Sequence, residues 1–320
     1  MIPTLCMVES PETAAYVPVN TLDSSPPAYD EDDPTKANDD NVPVVRNKPV
    51  TSSLRATVAH LQSRGGFWAR FRGLSLYIIL NAATGFLVSM LGGIFFRNRI
   101  GLALATIIAK VILSGWQMTW IHIVISEPSP KRWYMRVPPM KNWTKIMPAV
   151  ALWALATQIV SIMPMLIVGS FGPMNNMKNP EFEPGTKDLY ASAGQGFMAV
   201  IIMLLLFVGL QIPASVTMVR VAASMLPEED ETIVPFDRTF GGQTTPEIIG
   251  GQGKIGLKEA WRSFPFASRV RLVKLIAKVV TIFIAVWLLF TLVVVIEAHV
   301  LFGDNLGKMM KAVHGVAGPR

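Results

Sequence analysis

Five long apolar stretches dominate the pattern along this chain, at about 76–96, 101–125, 146–169, 194–224 and 279–302. Each reaches the roughly 20 residues an α-helix needs to cross about 30 Å of hydrocarbon. The apolar residues come in these runs and not in short alternations, so the pattern predicts an all-α fold: a polytopic transmembrane helix bundle of about five spans. Only Arg97, Asn98, Arg99 and Ile100 separate the first two spans, which makes them a tight hairpin. Pro213 lies inside the fourth and predicts a kink. The fifth starts amphipathic near 268 and becomes fully apolar from about 279.

Outside the spans the pattern changes twice. Residues 1–52 are rich in Pro, Asp, Ser and Asn and carry the acidic run Asp30-Glu31-Asp32-Asp33, a composition that predicts a disordered tail. Residues 54–64 place Leu54, Val58 and Leu61 at helical spacing among Arg55, His60 and Arg64, which suits an amphipathic helix on a membrane surface. The chain then divides into the tail, a transmembrane helical domain over 53–303 and a short C-terminal stub, 304–320.

Composition agrees: 51% of the 320 residues are hydrophobic, 16% are charged and the mean hydropathy is +0.41. A soluble domain carries about a quarter charged residues. The net charge of +7 does not point to nucleic acid, because the basic residues flank the spans instead of forming one patch. Arg55, Arg64, Arg70 and Arg72 precede the first span. Lys131, Arg132, Arg136, Lys141 and Lys145 fill the loop before the third, and Arg238, Lys254, Lys258, Arg262, Arg269 and Arg271 precede the fifth. This bias puts the N-terminus and both long loops on the cytosolic or matrix side, with the C-terminus across the membrane.

Two elements recur. The second span ends in Thr119-x-x-His122-Ile123-x-x-Ser126 and the fourth, about 98 residues later, in Thr217-x-x-Arg220-Val221-x-x-Ser224. The first span is preceded by Gly66, Phe71, Arg72 and Gly73, and the fifth by Gly256, Trp261 and Arg262, in each case a glycine, an aromatic and then Arg at the threshold of a span. A faint copy surrounds Trp143 and Lys145 before the third. Together these elements resemble the mitochondrial carrier family, whose repeats of about 100 residues each hold two spans joined by a surface helix. The likeness covers about 54–303, with the five spans standing for the family's second to sixth helices; the first is missing. The family's odd helices end in Pro-x-Asp-x-x-Lys-x-Arg. Pro213 and Arg220 fit that pattern, but Ser215 and Met218 replace its Asp and Lys, as do Gln117 and Trp120 in the second span. The resemblance implies a small solute passing between helices near the bilayer midplane of a mitochondrial membrane. The absent gate charges imply that the family's ion-pair gate is missing.

Lys110 lies about 13 Å into the second span, where a lysine costs roughly 2.5–3.5 kcal/mol and needs a partner, a cavity or the bundle interior. Glu297, beside His299 in the fifth span, is at comparable depth, and the two are expected to approach. Asn81, Gln117, Gln158 and Gln211 complete a candidate polar path; alternatively they tie helices together. Arg269, Arg271, Lys274 and Lys278 are candidates for anchoring headgroups or binding an anionic lipid. Pro26-Pro27-Ala28-Tyr29 has the form that WW domains read as a polyproline II ligand, a reading that favours a cytosolic tail and a location in the outer membrane or an endomembrane. Neither a nucleophile–base pair nor a metal cluster nor a phosphate-binding loop is evident, so no enzyme activity, cofactor or metal is expected. Three functions remain: a carrier-like transporter, a non-transporting adaptor or scaffold built on a carrier fold, and an endomembrane transporter with a WW-binding tail.

Overall fold

The computed structural model describes residues 1–9, 49–94, 98–176, 185–244, 250, 251 and 253–302. Among them the fold is helical, and the β-type pairing is a single antiparallel bridge between Ser126 and Thr232. The chain forms two compact units, Met1–Arg271 and Leu272–Arg320. Among the described residues four helices are long and apolar enough to cross a membrane, or five if a bent pair is counted as one span.

In the first unit the chain opens with α1 (Ile2–Val8), followed by α2 (Leu54–Gly65) and α3 (Leu74–Ile94). The second predicted span is two helices, α4 (Arg99–Ile112) and α5 (Ser114–Ile125), bent by 62° at Leu113. Where the sequence predicts one span over about 101–125, the Ser114-Gly115 pair stands at the bend, a pairing at which helices kink. α6 (Met140–Val168) carries the third span, and α7 (Pro173–Asn176) is a single turn. The fourth predicted span is α8 (Thr186–Leu206), a π-helical turn over Phe207–Gln211, and α9 (Ile212–Ser224). The π turn sits just ahead of Pro213, whose ring would otherwise clash with a carbonyl of the preceding turn. Short α10 (Leu257–Arg262) precedes α11 (Phe266–Phe302), whose first residues close this unit. α5 and α9 start 98 residues apart, α5 after the bend at Leu113 and α9 after the π-helical turn of a continuous helix.

The N-terminal residues correct the sequence reading. Ile2–Val8 form a helix with Leu5 and Cys6 fully buried, where a polar tail was expected. The Pro26-Pro27-x-Tyr29 motif falls outside the described residues. α2 begins at Ser53, whose hydroxyl accepts from the Ala56 amide at 3.1 Å. It buries Thr57 and Leu61 against protein, while Leu54 and Val58 are only half-buried.

The second unit is the apolar remainder of α11. Phe283, Trp287 and Leu289 are 72%, 64% and 66% exposed. A helix uncharged from 279 to 296 that leaves such residues uncovered is stable when lipid tails surround it, since exposing that surface to water costs about 25 cal/mol for every Å². This chain is an integral membrane protein.

Candidate functional site

A cavity of about 300 Å³ lies within the first unit, among residues of α1, α3, α4, α5, α6 and α9. Three of these helices contribute it in the same way. Thr4 and Met7 of α1, Gln117 and Trp120 of α5, and Ser215 and Met218 of α9 all line it, each pair three residues apart. The three helices pack against one another pairwise. Aligned on these pairs, Cys6, Thr119 and Thr217 correspond, and so do Glu9, His122 and Arg220. A short helix thus occupies the third place in a trio whose other two members are the ends of spans. Ile-Pro opens both α1 and α9, one position out of register with that alignment.

The walls are mixed. Asn81 and Thr84 of α3 line the cavity with Tyr77 and Leu80; Asn81 Nδ2 donates to the Tyr77 carbonyl at 2.7 Å and Thr84 Oγ1 to that of Leu80 at 2.7 Å. Lys110 of α4 enters from the side, its Nζ 4.1 Å from the centroid of the Trp153 ring of α6. A cation on a desolvated aromatic face gains up to about 2 kcal/mol, but the ring accepts no proton-sharing bond from the ammonium. Among the described residues, the cavity lining holds this one cation and no carboxylate. A half-buried positive charge with an aromatic neighbour and amide and hydroxyl groups around it is suited to hold a small anion.

The structure brings together Lys110, Asn81 and Gln117 of the predicted polar path. Gln211 instead ties the π turn to α6, its Nε2 donating to Thr157 Oγ1 at 3.1 Å, and Gln158 is half-buried on α6 away from the cavity lining. Glu297 is an exposed position of the second unit. The chain matches no family model, no curated protein and no solved structure.

Beyond α5 and α9, side chains lock the loops together. Gly66 and Gly73 have φ of +68° and +73°, which explains the two glycines of the motif before the first span. They aim Arg72 at the end of α5, where its Nη2 donates to the carbonyls of Ile123 at 3.0 Å and Glu127 at 2.9 Å; Phe71 stays at the surface. The second copy of that motif serves differently. Gly256 caps α10, Trp261 receives the Arg269 guanidinium at 4.1 Å, and Arg262 is exposed. Here α9 supplies the tie: Arg220 Nη2 donates to Ser263 Oγ at 2.9 Å and its Nη1 to the Met7 carbonyl at 3.3 Å. Phe240 covers the guanidinium at 4.4 Å and holds φ of +50° to do so, a left-handed conformation that a bulky residue adopts under local constraint. His122 Nε2 bonds the Ala222 carbonyl at 2.8 Å, joining α5 to α9 directly.

Two sequence expectations change here. The acidic run Glu228-Glu229-Asp230-Glu231 after the fourth span lacks the ligand spacing of a calcium loop and by its sequence reads as solvated, yet Asp230 pairs with Arg136 at 2.9 Å, both largely buried, and Arg136 also donates to Ser126 Oγ at 2.6 Å. Of the four candidate headgroup anchors, Arg269 donates to the Phe264 and Trp261 carbonyls and Arg271 faces Glu9 at 3.7 Å. Lys274 and Lys278 are exposed.

Proposed function

We propose that this membrane protein is carrier-like and moves a small anion through the cavity around Lys110, with a mitochondrial membrane as its site. The observation that carries this reading is the single uncompensated cation in the cavity, framed by equivalent residue pairs from three helices. Two of the pairs, Gln117/Trp120 and Ser215/Met218, occupy the positions where the mitochondrial carrier resemblance expects gate charges, and Thr4/Met7 of α1 lines the cavity beside them. Closure at this point would then rest on packing and neutral hydrogen bonds, without an ion pair to break.

Purified protein in liposomes, loaded with a panel of small mono- and dicarboxylates, tests this. Lys110→Ala is expected to lower exchange of the transported member at least about tenfold, the loss of a charge-assisted contact. Lys110→Arg should keep part of it. No exchange of any panel member, or exchange indifferent to Lys110, Asn81 and Gln117, overturns the transport reading and leaves the non-transporting scaffold. A C-terminal fluorescent tag addresses location: mitochondrial signal fits the carrier reading, and endomembrane signal favours the WW-binding tail at Pro26, Pro27 and Tyr29.

A further inference from the structure

The N-terminal helix is unusual in how it is held. At seven residues it is far too short to persist alone, since isolated helices below about 12–15 residues are marginal in water. Docking therefore supplies its order. The apolar part of that docking is Leu5, Cys6 and Val8 against α5 and α9. The polar part is the Met7 carbonyl, which accepts from Arg220 Nη1 at 3.3 Å, and above all Glu9. Glu9, 2% exposed, accepts from the amides of Val50 at 2.5 Å and Thr51 at 3.1 Å, accepts from the Thr51 hydroxyl, and faces Arg271 Nη2 at 3.7 Å. Glu9 thereby joins the end of α1 to the residues just ahead of α2.

We propose that α1 is a withdrawable plug: it closes the cavity through Thr4 and Met7, and Glu9, seated on Thr51 and Arg271, is the latch that sets how often it leaves. This names the regulation of the cavity described above. The plug's movement can be measured whether or not any solute crosses.

Cys6 is the one cysteine of the sequence and sits, fully buried, in the middle of α1. Burial pushes its thiol up from the usual value, while the Thr51 hydroxyl and Arg271 pull it down and the Glu9 charge adds a small push up. Both burial and the raised thiol slow its reaction with maleimide. The experiment is labelling of the full-length protein in liposomes with a membrane-impermeant maleimide. The reference is Ala59→Cys, an exposed position on α2, in a Cys6→Ser background. Cys6 in the parent is expected to react at least about tenfold more slowly than the reference thiol, and Glu9→Ala to accelerate it by about tenfold.

Thr51→Val separates withdrawal from simple acidity. Losing Glu9 eases the thiol toward ionisation, whereas losing the Thr51 hydroxyl does the opposite. Only release of the helix speeds labelling in both variants. Thr51→Val also decides the matter if Glu9→Ala fails to fold. Labelling of parent Cys6 as fast as the reference, or a Thr51→Val rate at or below the parent's in monodisperse protein, overturns the plug.

Discussion

Alanine at Gly115 is expected to destabilise the protein by about 1–3 kcal/mol or more, the usual consequence of forcing atoms into a filled space. A Cβ there would fall inside the Trp143 indole. The indole cannot simply swing away, because its Nε1 donates to the Pro138 carbonyl at 2.9 Å and fixes it at the start of α6. Gly85→Ala supplies the contrast. Gly85 lies within α3, with nothing inside 4 Å of its would-be Cβ, so alanine there should raise stability by about 0.5–1 kcal/mol through helix propensity. Thermal unfolding of detergent-purified protein, followed by loss of the monodisperse peak on size exclusion, reads both. The double variant Gly115→Ala/Trp143→Ala should recover part of the loss, since the two changes act on one contact. Equal midpoints for the two glycine variants would contradict the packing described for the α4–α5 bend.

That bend shows where sequence reading stops. The five apolar runs were legible because lipid imposes one demand, length without charge, and their ends fall close to those of the helices. α3 covers Leu74–Ile94 where 76–96 was expected. α6 starts earlier, at Met140, because its first turns carry Lys141 and Lys145 and drop below any hydropathy criterion while still being helical. The break before Pro213 was announced by the proline itself. The break at Leu113 had only Ser114-Gly115 to announce it, and the reason for that glycine is an indole 28 positions away in the chain.

The candidate site was half legible for the same reason. Lys110 stands out because a charge in an apolar run needs an explanation, but its aromatic neighbour Trp153 lies on another helix and leaves no local trace. Thr4 and Met7 were missed altogether. A seven-residue apolar stretch is too short for a window of about 19 residues, and the acidic, proline-rich composition that follows it hides it further. The kinship of Thr4-x-x-Met7 with Ser215-x-x-Met218 and Gln117-x-x-Trp120 is likewise inconspicuous, since none of the six is charged. The acidic run misled in the other direction: four carboxylates in a row read as solvent-facing, and nothing in their spacing distinguishes Asp230, which is drawn inward by Arg136 from a different loop.

The Arg136–Asp230 pair gives the other large effect. The side chains are 7% and 17% exposed, so removing one partner strands a charge that water reaches poorly. Arg136→Ala should therefore cost about 3–5 kcal/mol, and it also deprives Ser126 Oγ, at the end of α5, of its donor. Because Glu127 N donates to the Glu231 carbonyl at 2.8 Å and Ile233 N to that of Ile125 at 3.0 Å, the loss loosens the pairing of the two loops that follow α5 and α9. Asp230→Asn keeps an acceptor and should be milder. Arg136→Met with Asp230→Leu removes both charges and should return close to the parent, since a buried ion pair replaced by apolar groups of like size is often neutral. Limited proteolysis within 226–244 is the measurement. Faster cleavage in Arg136→Ala, suppressed in the double variant, is the expected order. Cleavage no faster than in the parent would mean that Lys131–Glu229, Arg64–Glu127 and the Arg238 bonds to the Pro227 and Asp230 carbonyls hold these loops without it.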